Sequence, residues 1–92
     1  VSLSSIVIPN PRGELFTFEK AGDVLPMHTH DENAHITMIM RGRFRIHGPG
    51  IGDKEYGEGA FIDWAPGVTH EFVALTDNAR MANISKIRQV ED

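Results

Sequence analysis

Three of the chain's five histidines, His28, His30 and His35, fall within the nine residues "MHTHDENAH" (27–35). Imidazole is the commonest metal-binding side chain and titrates near neutral pH, so the cluster invites a metal or a proton. His28 and His30 stand two apart, and in an extended chain such residues point to the same side. His35 lies five beyond His30, an odd step that an unbroken strand would turn to the opposite face. The intervening "DENA" is polar and turn-prone, which lets the chain bend and bring His35 back. His70 starts a separate stretch after "PGVT". These four histidines can line one cavity if the fold joins the two segments. Alternation alone would also give an HxH pair with both rings in solvent, so spacing leaves the two readings open. His47, alone at the end of a short apolar run, reads as a surface or hydrogen-bonded residue.

Composition narrows the chemistry. The 92 residues contain no cysteine, which excludes thiolate ligands and disulfides and leaves nitrogen and oxygen donors for any metal. A net charge of −4 without a basic block gives no footprint for nucleic acid. Arg41, Arg43 and Arg45 alternate and read as a solvated strand face. No apolar run approaches the roughly 20 residues that cross a bilayer, and no signal-like pattern opens the sequence, so the expectation is one cytoplasmic domain over residues 1–92, without a membrane partner.

The elements that must position these residues read as short strands separated by Gly, Pro, Asp and Asn. "ELFTFEK" (14–20) alternates, with Phe16 and Phe18 on one side. "HITMIMR" (35–41) and "RFRIH" (43–47) flank Gly42, a tight turn or bulge. "GPGIGDKEYGEG" (48–59) is rich in turns, with a short strand near Lys54–Tyr56. "AFIDWAP" (60–66) and "HEFVAL" (70–75) follow, then a turn at 76–78. The last segment, 79–90, fits a helical face through Met81, Ile84 and Ile87 but also alternates; with every earlier element extended, a strand to at least Ile87 is preferred. The fold class is all-β, a sandwich or barrel. With His35 and His70 facing inward, Thr37, Ile39, Phe72 and Ala74 do too. Phe16, Phe61 and Trp64 are candidates for a pocket wall or for plain core.

A longer pattern surrounds the histidines. "GDVLPMHTHDENAHITMIMRG" (22–42) resembles the first motif of the cupins: Gly, five residues, His-x-His, three or four residues, Glu, six residues, Gly. Gly22, His28, His30 and Gly42 match, and His35 occupies the glutamate position. "GAFIDWAPGVTH" (59–70) resembles the second motif. Gly59, Gly67 and His70 are in register, Pro66 is one place late, and Ala74 replaces the final Asn. The resemblance implies a double-stranded β-helix, a jelly-roll-like barrel, holding one metal and often paired as a homodimer. It assigns the ligands to His28, His30, His35 and His70, a four-histidine variant.

Four neutral imidazoles leave the +2 charge of a divalent ion without a carboxylate counter-charge, and so favour an anionic oxygen ligand. The donor set suits Fe, Mn, Ni, Cu or Zn better than Mg or Ca. Asp31, Glu32, Asp63 and Glu71 lie near in sequence but read as solvated carboxylates, and no residue inherits the base role of the family's glutamate. The expected function is therefore a metal-dependent, dioxygenase-like oxidoreductase acting on a small chelating organic molecule. The alternatives are a non-catalytic metal- or ligand-binding module, or a metal-dependent isomerase or lyase.

Overall fold

The computed structural model describes residues 3–9, 12–29 and 35–85. Nine strands follow one another: β1 Leu3–Pro9, β2 Arg12–Phe18, β3 Val24–Thr29, β4 His35–Arg41, β5 Phe44–Gly48, β6 Gly52–Tyr56, β7 Phe61–Trp64, β8 Thr69–Ala74 and β9 Ala79–Ser85. They form two antiparallel sheets, ordered β1-β2-β9-β4-β7 and β3-β8-β5-β6. The fold is the expected all-β double-stranded β-helix, with the core between the sheets. Among the described residues no helix is long and apolar enough to cross a membrane.

Alternation explains which side chains enter that core. On β4 His35, Thr37 and Ile39 are buried, and on β8 His70, Phe72 and Ala74 are, while the residues between them are partly exposed. Phe18, Phe44 and Phe72 are fully buried, and the first two meet edge to face with ring centres 4.9 Å apart. Full burial of such a side chain contributes roughly 1.5–3 kcal/mol.

Several boundaries differ from the sequence expectation. β2 runs two residues earlier than 14–20, because Arg12 and Gly13 pair with Pro9 and Ile8 across a hairpin with β1, a strand the periodicity did not suggest. The described part of the last segment is a strand through Ser85, bonded to both β2 and β4, so the helical alternative fails there; residues 86–90 lie outside the described set. Gly42 sits at φ 77° where the chain leaves one sheet for the other, and a Cβ at that position would come within 3.2 Å of the Ala79 Cβ. Both facts require glycine. The crossing also corrects the arginine reading. Arg41 ends β4 in one sheet, whereas Arg45 belongs to β5 in the other, so the three do not share a strand face. Arg43 and Arg45 meet Glu55 at 3.1 and 3.9 Å, and Arg45 meets Asp53 at 3.4 Å.

Candidate functional site

β3 and β8 pair Leu25 with Phe72 and His28 with His70, so three steps on β3 oppose two on β8. This bulge changes the parity of β3 and turns His28 to the same face as Leu25. Pro26 lies within it, where the missing amide proton costs no ladder bond. Its carbonyl accepts a hydrogen bond from His28 Nδ1 at 2.7 Å. That bond selects the tautomer in which Nε2 carries the lone pair, the arrangement seen in metal-ligating histidines.

His28 and His70 therefore come from adjacent strands of the four-stranded sheet, and His35 approaches from β4 of the facing sheet. His35 thus joins the others across the two sheets, and the expected bend at 31–34 lies outside the described residues. Ring centres of His28 and His70 are 4.5 Å apart, and those of His35 and His70 5.5 Å apart. An imidazole bound at about 2.0–2.1 Å has its ring centre about 3.2 Å from the metal; two such rings 90–120° apart are then about 4.5–5.5 Å from each other. The two spacings about His70 fall in that range, and an all-nitrogen donor set suits a divalent transition ion. Among the described residues, no three His, Asp or Glu side chains already form a closed metal-holding group. His30 and the segment 31–34, with Asp31 and Glu32, lie outside the described residues.

Aromatic and polar contacts surround the cluster. The Trp64 indole stacks on His70 with ring centres 4.2 Å apart and planes at 25°, and Phe72 meets His70 at 5.3 Å. Trp64 Nε1 donates to Thr37 Oγ1 at 2.8 Å, and Thr37 Oγ1 donates to Asn83 Oδ1. Thr37 is fully buried and Asn83 is 8% exposed, so this relay belongs to the interior.

Of the wall candidates, Phe16, Thr37, Ile39, Trp64 and Phe72 are buried between the sheets. Phe61 is corrected: it is 68% exposed, on the outer face of β7, and does not line the interior. Trp64 lies three residues further along the same strand, and residues an odd number apart point to opposite faces. Ile62 takes the inward position instead. Asp63 faces outward beside Phe61. Glu71 accepts from His47 Nε2 at 2.6 Å, and these two are direct cross-strand neighbours on the outer face of the other sheet. Asn83 was missed by sequence reading. Its only signal was a polar residue at an alternating position between Met81 and Ile87.

No family model matches the chain, and no curated protein does. Solved structures do. KdgF from Halomonas sp. superposes with a TM-score of 0.80 at 19% identity, over 94% of this chain and 82% of that one. A cupin superfamily protein from Desulfitobacterium hafniense gives 0.81 at 13% identity, over 95% and 79%. The cupin domain of Drosophila melanogaster CENP-C gives 0.69 at 12% identity, over 92% and 76%. At these identities the likeness defines the class by fold: the chain is a small domain with the cupin fold.

Proposed function

We propose that the domain binds one divalent transition metal through His28, His30, His35 and His70 and presents it to a small organic ligand as a dioxygenase-like oxidoreductase. The observation that supports this reading is that the His70 ring has those of His28 and His35 close by, at 4.5 and 5.5 Å, the three coming from three strands of two sheets. When bound, Fe, Mn, Ni or Cu would supply a Lewis acid and an electron conduit between dioxygen and a chelating enolate-like substrate.

The chain's own residues prepare the site. Pro26 orients His28, and Trp64 holds the plane of His70 while its own ring is anchored by Thr37. Phe72 and Ile39 exclude water from the inner wall. With no carboxylate among the four ligands, an anionic oxygen on the substrate supplies the compensating charge. Elemental analysis of tag-free protein tests the proposal. Near-stoichiometric Fe, Mn, Ni or Cu is expected; zinc alone would remove the oxidoreductase reading, and absence of any transition metal would remove the site.

The second reading, a non-catalytic binding module, draws on the CENP-C likeness, since that protein is known in a structure bound to CAL1. Oxygen-uptake measurements on metal-loaded protein with 1,3-diketones, catechols and flavonols separate the two readings. An isomerase or lyase ranks behind both, because it needs a protein base beside the histidines.

The proposal includes a homodimer. Pairing aligns Ile6, Leu15, Ala82, Met38 and Phe61 in one row on the outer face of the five-stranded sheet, with Ile36 and Ile84 beside it. The row crosses about 20 Å of sheet and carries no charge, so two copies can meet across it without like-charge repulsion.

A further inference from the structure

Charge is unevenly placed on the outer face of the five-stranded sheet. Strand pairing sets Ser4, Thr17, Arg80 and Arg41 in a row on one side of the apolar row. On the other side it sets Gly13, Ile84, Ile36 and Asp63, the last an exposed carboxylate on β7. Arg41 and Arg80 are direct cross-strand partners, and like charges so placed destabilise a sheet. Arg80 Nε donates to Thr17 Oγ1 at 3.2 Å, but among the described residues neither guanidinium is ion-paired. Arg43 and Arg45, beyond the crossing, both are. Glu58 accepts from the Gly42 amide rather than from Arg41. The arginine pair therefore takes its opposite charge from outside its own chain.

Two-fold symmetry limits how a second copy supplies it. To keep the apolar rows in contact along their length, the axis must lie along the strands or along the rows. An axis along the strands turns each row end for end onto its own copy. Arg80 then lies over the partner's Arg80, and four guanidiniums gather in one row. An axis along the rows instead sets the apolar row on itself, residue on residue, and exchanges the two flanking rows. The partner's Ile36 then faces Arg41, and the partner's Asp63 lies one strand further, about 5 Å to the side. With sheets about 10 Å apart, Arg41 and that aspartate are about 11 Å apart between backbones, within the combined reach of their side chains. Asp63 takes part in an interaction within its own chain, and a carboxylate has lone pairs for a further donor.

We infer that a second copy docks with the two-fold axis along the apolar row, so that Arg41 of each copy is ion-paired with Asp63 of the other. This rests on the proposed homodimer and adds its orientation and the charges that set it. Symmetry forms the pair twice, and Arg80 adds its charge beside each Arg41.

The chain has no cysteine, so one introduced thiol reports the axis. Ile6 stands at the end of the apolar row and is 66% exposed. With the axis along the rows, the Ile6→Cys thiol lies about 10 Å from its copy, and a short bismaleimide should link the two. With the axis along the strands the thiols are about 22 Å apart, and a dimer that the reagent fails to link overturns the inference. Sedimentation equilibrium supplies the charge test. Arg41→Glu and Asp63→Arg should each weaken the dimer about tenfold, since two attractive pairs become repulsive. The double variant exchanges the charges and should recover most of that loss. Single variants that dimerise like the wild type, or a double variant weaker than either, would overturn the inference and leave the homodimer standing. A wild-type protein that is monomeric at micromolar concentration removes the homodimer, and the ion pairs with it.

Discussion

The Trp64 indole lies against the His70 imidazole, ring centres 4.2 Å apart, and is held there by its hydrogen bond to Thr37. Since Trp64 is the single tryptophan, its emission reports on the histidine cluster. Titration with Cu(II) should quench it saturably at one equivalent. His70→Ala should abolish the saturable phase. Quenching that stays linear and unsaturated in the wild type would place the metal elsewhere.

The two outlying histidines should respond differently to substitution. His35→Ala removes a ring 5.5 Å from His70 and should lower metal occupancy at least tenfold by elemental analysis. His47→Ala breaks a bond to Glu71 on the outer face and should leave occupancy unchanged. Its cost in stability should be within about 1 kcal/mol, the range of partly exposed pairs. Equal loss of metal in both variants would contradict the assignment.

Thr37→Val removes the hydroxyl that joins Trp64 Nε1 to Asn83 Oδ1 while keeping the side chain's volume. Two buried polar atoms then lose a partner, so urea unfolding should show a loss of about 1–3 kcal/mol, with Trp64 emission altered in the folded state. Thr37→Ser, which restores the hydroxyl, should recover the emission. A neutral Thr37→Val variant would mean that the relay contributes little.

Phe61→Glu should convert a dimer to a monomer in light scattering, because the charge falls at the end of an apolar row on the outer face. Monomer stability should change by no more than about 0.5 kcal/mol at so exposed a position, and metal content should hold. A wild-type protein that is monomeric at micromolar concentration would remove the interface proposal.

Much of this molecule was legible in its residues. Alternation in "HITMIM" and "HEFVA" placed His35, Thr37, Ile39, His70 and Phe72 on inward faces, because a strand's side-chain period is two wherever one face is buried. Parity also held the answer for Phe61, since a residue three before Trp64 cannot share its face. The bulge in β3 was not legible. An extra residue shows only when two strands are set in register, and nothing in "VLPMH" announces which residue of β8 each one meets. Asn83 was hidden for the same reason: an asparagine in an alternating strand has no stated partner until β4 is laid beside it.

Sequence alone determined the donor chemistry, nitrogen and oxygen without sulfur, along with the strand periods and the glycine at the crossing between β4 and β5. Those properties are local, set by side-chain type and backbone sterics. Tertiary structure decided that His35 reaches His70 from the opposite sheet, that Phe61 faces outward, and that Thr37 joins Trp64 to Asn83. These are relations between strands up to 46 residues apart, and only pairing and sheet closure create them.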